Sequence, residues 1–156
     1  MKSDYLYTEF LNVSRKLNQK LKIAPVLYGS LGLEKVIEVE FSPQDIDILV
    51  PLRFIKNEWQ TLKETMEELG YTLVDLHEHK FVNGKVEIGY SFEEDLKPFA
   101  GVNYEDLKEM YDDGVSYRLL SVEDYLNVYK RALKDGYRRT KNNNKDLKKI
   151  EVLENL

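Results

Sequence analysis

The sequence contains no cysteine, which excludes disulfides, thiolate zinc centres and cysteine nucleophiles. No apolar run approaches the roughly 20 residues that a membrane-spanning helix requires. The opening Met1-Lys2-Ser3-Asp4 leads into a mixed polar pattern unlike a secretory signal. An excess of positive charge is also missing: 23 basic against 28 acidic residues gives a net charge of −5. That balance speaks against a surface that coats nucleic acid, while leaving room for a local basic patch. What is present is a chain of 156 residues, 42% of them hydrophobic, which is enough for a true core. The expectation is one soluble, cytoplasmic domain over residues 1–156, with a sheet-containing core over 1–118 and a helical segment over 119–156.

Hydrophobic spacing predicts the elements. Leu6, Phe10, Val13, Leu17 and Leu21 recur at helical period between Asp4 and Leu21. Pro25 ends that helix, and Val26-Leu27-Tyr28 reads as a short buried strand running into Gly29-Ser30. Residues 31–40 are ambiguous between helix and strand. Ile46, Ile48 and Val50 alternate with Asp45, Asp47 and Leu49 in a strand closed by Pro51. Trp59, Leu62, Met66 and Leu69 form a second helical stripe, stopped by Gly70. Residues 71–80 and 85–90 read as strands around an Asn83-Gly84 turn. A short helix is expected over 103–111, ended by Asp112-Asp113-Gly114. Ser121 can cap a helix that buries Val122, Tyr125, Leu126, Tyr129, Ala132 and Leu133. After Asn142-Asn143-Asn144, a last helix is expected to bury Leu147, Ile150 and Leu153. The fold class expected is α/β (α+β), a mixed β-sheet flanked by helices with a helical C-terminal cap.

The chemistry concentrates in Tyr28-Gly29-Ser30 and Asp45-Ile46-Asp47-Ile48. A glycine after a buried strand lets backbone amides approach a ligand, and the serine adds a hydroxyl, an arrangement suited to phosphate. Aspartates at i and i+2 on a strand point the same way and repel unless a cation sits between them, which makes Mg²⁺ the natural occupant. Either feature alone is commonplace. A phosphate cradle beside a Mg²⁺ clamp is equipment for phosphoryl or nucleotidyl transfer.

In this order the residues resemble the signature of the polymerase-β-like nucleotidyltransferase superfamily, closest to the small bacterial aminoglycoside and lincosamide nucleotidyltransferases and the minimal nucleotidyltransferases. That signature is a hydrophobic residue, Gly-Ser, a spacer and Asp-x-Asp in a hydrophobic strand, here Leu27-Tyr28-Gly29-Ser30, residues 31–44, and Asp45-Ile46-Asp47-Ile48. The spacer is longer than usual for the family, and Leu31-Gly32-Leu33 follows Ser30 where many relatives have a polar helix start. The resemblance implies a nucleoside triphosphate (NTP) and two Mg²⁺ ions at the aspartates, with Gly29 and Ser30 holding the β- and γ-phosphates. It also implies a third carboxylate on a neighbouring strand, for which Glu87 is the candidate and Asp75 and Glu78 the fallbacks. If Asn83-Gly84 forms a two-residue turn, Glu87 lies opposite Lys80, so a cross-strand charge pair is the competing reading.

His77 and His79 share a strand face with Asp75 in this reading, a metal-capable spacing that more often marks ordinary surface or half-buried histidines. The C-terminal third carries a cationic cluster of Lys130, Arg131, Lys134, Arg138, Arg139, Lys141, Lys145, Lys148 and Lys149. Solvated helix faces usually explain such runs, yet against a negative chain the cluster suits a triphosphate. Lys145-Asp146 resembles a pair in the family's C-terminal segment, so Lys130 and Lys145 are the candidates for phosphate contact. Among the 11 tyrosines one could stack on a base. The function expected is Mg²⁺-dependent transfer of a nucleoside monophosphate from an NTP to an acceptor, a small molecule in the first reading. A homodimer that completes the cleft is compatible with so small a body. The alternative is a binding module of the same fold, an antitoxin-like partner protein without turnover.

Overall fold

The computed structural model describes residues 2–134 and 145–156, with the side chains of Lys2, Lys145 and Asp146 also outside the description. Its helices are α1 (Lys2–Lys16), α2 (Gly29–Ile37), α3 (Trp59–Glu68), α4 (Leu96–Ala100), α5 (Val122–Leu133) and α6 (Lys145–Glu154). Its strands are β1 (Val26–Tyr28), β2 (Ile46–Val50), β3 (Thr72–Asp75), β4 (Lys80–Asn83), β5 (Val86–Phe92), β6 (Lys108–Asp112) and β7 (Val115–Leu119). The strands form one mixed sheet in the order β3-β4-β5-β2-β1-β7-β6. Within it β2 runs parallel to β5 and β1 parallel to β7, while β1 and β2 are antiparallel. The fold is therefore α+β, with a helix closing the C-terminus.

Strand alternation divides the core in two. Leu27, Ile46, Ile48, Phe81, Ile88 and Tyr90 cluster with Leu6, Phe10 and Val13 of α1, Leu17 of the π-helical segment Leu17–Leu21 that follows it, and Leu62 and Met66 of α3. A fully buried side chain of this size contributes about 1.5–3 kcal/mol. Val26 and Leu49 point the other way and pack against Tyr125, Val128 and Tyr129 of α5 and Ile150 and Leu153 of α6. α5 begins with a capping box, in which Asp124 N–H donates to Ser121 Oγ and Ser121 N–H to the Asp124 carboxylate; such a cap is worth about 1 kcal/mol.

The ambiguous segment after Ser30 is helical. α2 starts at Gly29 and ends at Ile37, and Phe41 N–H donates to Glu34 Oε2 at 2.5 Å, tying the following loop back to the helix. Three expectations for residues 71–90 are corrected. Residues 71–80 are not one strand: β3 ends at Asp75, residues 76–79 turn, and β4 starts at Lys80. His77 and His79 therefore lie in a turn, and the His79 ring packs edge-on against Trp59 at 4.9 Å. Burial pushes the His79 pKa down, with His77 adding to the effect. The β4–β5 turn sits one residue later than read, at Gly84-Lys85, so Val82 rather than Lys80 opposes Glu87.

Residues 103–111 do not form a helix either. Tyr104–Asp106 make one 3₁₀ turn, and β6 and β7 follow as a hairpin. Its turn residues Asp113 and Gly114 both have positive φ, 51° and 75°, as a type I′ turn requires. In α6, Ile150 and Leu153 are buried as expected, but Leu147 is 43% exposed. Asn142, Asn143, Asn144, Arg138, Arg139 and Lys141 lie outside the described residues.

Candidate functional site

β1 stops at Tyr28 and α2 begins at the next residue, without any side-chain cap at Tyr28. The first N–H groups of a helix have no acceptor within it, so this junction presents donors and positive potential to whatever sits in front of it. Gly29 has φ +65°, the left-handed region that favours glycine. A methyl group there would collide with Asp47 Oδ2. The cause is register: Tyr28 opposes Asp47 across β1–β2, and Asp47 opposes Gly89 across β2–β5. A methyl on Gly89 would stand 3.7 Å from Asp47 Oδ1. The Asp47 carboxylate thus lies on the sheet between two glycine backbones, directly before the α2 N-terminus.

This is the floor of a cleft of about 480 Å³, bordered by Gly29, Ser30, Asp47, Lys80, Tyr129 and Lys149 among others. α5 and α6 cover the sheet over Val26 and Leu49, and Leu49, Tyr125, Val128, Tyr129 and Lys149 also line the cleft. Tyr125 O–H donates to Gly29 O at 3.2 Å, fixing the peptide at the bend. Complete burial raises the Tyr125 pKa well above the usual phenol value, with Tyr129, Tyr28 and Asp47 adding to it, so the hydroxyl stays a neutral donor.

Of the residues singled out in the sequence, Gly29, Ser30 and Asp47 meet here. Asp45 stands two residues upstream, half-buried, on the bend leading into β2. Glu87 lies on β5 two residues before Gly89, and Lys80 Nζ sits 3.6 Å from its Oε1 and 3.0 Å from Glu78 Oε2. The hydrogen bond from Lys80 to Glu78 holds the lysine pKa above its ordinary value. The charge pair weighed against a metal role for Glu87 is thus present, as a diagonal contact, and Glu78 rather than Glu87 borders the cleft. Asp75 closes β3, where it accepts from Glu78 N–H at 3.1 Å.

Among the described residues no three carboxylates or histidines converge enough to enclose an ion by themselves. Mg²⁺ is ordinarily held by one or two carboxylates plus phosphate oxygens and water, so a hard oxygen donor at a helix N-terminus fits it without such a cage.

Lys130 is exposed, lies 3.5 Å from Glu154 and is absent from the cleft. Lys145 opens α6, and its side chain is outside the description. Among the described residues, the C-terminal cation at the bend is Lys149: its Nζ donates to Ser30 Oγ at 2.9 Å and lies 5.1 Å from the Tyr129 ring centre. The sequence placed Lys149 in the cationic cluster without singling it out. A usable signal existed, because it precedes buried Ile150 and stands four residues before buried Leu153, at the edge of the apolar stripe.

Sheet, helices and cleft define an α+β domain that presents a carboxylate and a lysine at a strand-to-helix bend. No protein-family model matches the chain. It is 53% identical over 151 residues to "Uncharacterized protein YnaI" of Bacillus subtilis (strain 168), covering 97% of each chain. The chain belongs to the same family as that protein.

Proposed function

We propose that the protein is a Mg²⁺-dependent nucleotidyltransferase that moves a nucleoside monophosphate from an NTP to an acceptor, a small molecule in the simplest case. The observation that carries this reading is the Asp47 carboxylate packed against Gly29 at the open N-terminus of α2. Backbone N–H groups of that first turn and the Ser30 hydroxyl are donors for phosphate oxygens, and Lys149 adds a charge beside them. Asp47, with Asp45 just upstream, is the hard oxygen pair that would hold Mg²⁺, with a second ion following from the family resemblance. When bound, the metal supplies neutralisation of the phosphates and activation of the acceptor oxygen. Tyr125 keeps the Gly29 peptide in place, so the donors need no reorganisation during transfer.

The test is release of pyrophosphate from each of the four NTPs across an acceptor panel, with and without EDTA. Release that requires Mg²⁺ and an acceptor supports the reading. Absence of both turnover and Mg²⁺-dependent nucleotide binding ends it. One observation favours the second reading, a binding module without turnover: the pairing of Glu87 with Lys80 occupies the carboxylate expected to complete the metal set. Metal-dependent binding with no release under any acceptor would select it.

Lys149 supplies a finer check. Lys149→Met is expected to raise the KM for NTP about tenfold, the scale of one lost charge-assisted contact, with kcat little changed. The penalty should shrink at high salt, as screening weakens the contact in the parent protein as well.

A further inference from the structure

Beside the phosphate end, the cleft continues into an annex of about 70 Å³ that shares Tyr28, Leu49, Ser91, Asp95 and Phe99 with it. Tyr28 is the residue immediately before Gly29, so this annex begins one residue from the proposed phosphate seat. Its ring belongs to a run of near-parallel rings: Tyr28 to Tyr125 at 6.4 Å and Tyr125 to Tyr129 at 5.8 Å, both with 17° between planes. Across the annex Phe99 is backed by the Arg131 guanidinium, 5.2 Å from its ring centre. Tyr28 thus packs on Tyr125 and Phe99 on Arg131, and a flat heterocycle laid against Tyr28 would extend the stack.

The annex has one acidic group at its mouth. Asp95 makes no cap hydrogen bond to α4, and none of the described side chains pairs with it. The other carboxylates at the cleft differ: Glu78 is bound to Lys80, and Asp47 lies at the bend. β5 sets the spacing, since Ser91 stands two residues beyond Gly89, roughly 7 Å along the strand. Asp95 follows four residues after Ser91 and borders both the cleft and the annex.

We infer that the annex is the nucleobase subsite and that Asp95 selects guanine. This rests on the nucleotidyltransferase reading above and adds the identity of the donor nucleotide. An ionised carboxylate only accepts hydrogen bonds, and it accepts two parallel ones best. Guanine offers adjacent donors at N1 and the 2-amino group. Adenine and cytosine each offer a single amino group beside an acceptor nitrogen that would face the second carboxylate oxygen, and uracil flanks its one N–H with carbonyls.

Titration calorimetry of the full chain with GTP, ATP, CTP and UTP in the presence of Mg²⁺ tests it. GTP is expected to bind at least about tenfold more tightly than the other three, the scale of one charge-assisted pair. Asp95→Asn should weaken GTP and strengthen ATP, bringing the two to within about twofold of each other, because the amide loses the paired acceptor for guanine and no longer opposes the acceptor nitrogen of adenine; a merely structural role for Asp95 would weaken all four alike. Equal binding of all four, or a GTP preference that survives Asp95→Asn, overturns the assignment. If the four bind equally while pyrophosphate release still requires Mg²⁺, the base subsite fails and the transferase reading stands. If none binds, both fail.

Discussion

Asp47→Asn is expected to cut Mg²⁺-dependent turnover by about 10³-fold or more and to leave the fold intact. A metal that neutralises phosphate charge contributes several kcal/mol to the transition state, and about 4 kcal/mol corresponds to 10³ in rate. Asparagine keeps the volume beside Gly29 and the position on β2, so packing against the bend is retained. What the folded protein loses is the attraction between a carboxylate and the α2 N-terminus, commonly 0.3–1 kcal/mol. Activity and stability thus separate: kcat collapses while the thermal midpoint moves little. Both are measured on one preparation, by pyrophosphate release and by scanning calorimetry. Turnover within about tenfold of the parent would remove Asp47 from the metal site, because the several kcal/mol that the metal supplies would then not depend on it.

The parts of the site legible in the sequence were those carried by neighbours in the chain. Gly29 and Ser30 follow a buried strand, and Asp47 sits at the second residue of an alternating one, so period-two geometry alone put each at a strand end or on a strand face. That β1 and β2 are adjacent, which brings Asp47 against Gly29, follows from the sheet order and not from either segment. The first helical stripe was equally readable, because Leu6, Phe10 and Val13 of α1 and Leu17 and Leu21 of the π-helical segment that follows are all buried.

The misreadings have physical causes. Residues 71–80 alternate well enough to suggest one strand, yet His79 adopts a positive φ of 55° and ends a tight turn there, with its ring against Trp59. Nothing local announces that turn, since a histidine in the left-handed region depends on tertiary support. The β6–β7 hairpin was a different failure. Asp113-Gly114 is a strong turn pair, but the flanking polar residues of β6, exposed at the sheet edge, hid the strand pattern. Lys149 was hidden among nine basic residues because choosing among them requires the packing of α6 on α5, which places its ammonium at Ser30.

Gly32→Ala is expected to cost about 3 kcal/mol of stability, near the upper end for overpacking, although alanine is the better helix former. α2 crosses β1 so closely that an added methyl would lie 2.5 Å from Leu27 O and collide with the Tyr125 hydroxyl. The carbonyl belongs to the strand that leads into the bend, so it cannot turn aside as a flexible side chain would. For a chain of this size the loss lowers the thermal midpoint by roughly 10 °C. Displacing α2 also shifts Ser30 and the first-turn N–H groups, and misplacement on the ångström scale lowers transfer well before the protein melts. The double variant Gly32→Ala/Tyr125→Phe identifies the limiting contact. Removing the hydroxyl relieves one collision but also deletes the hydrogen bond to Gly29 O, and the 2.5 Å approach to Leu27 O remains. The double variant should therefore stay within about 1 kcal/mol of Gly32→Ala, the size of one hydrogen bond. Full recovery of the midpoint would show that Tyr125, rather than the β1 backbone, sets how closely α2 can approach the sheet.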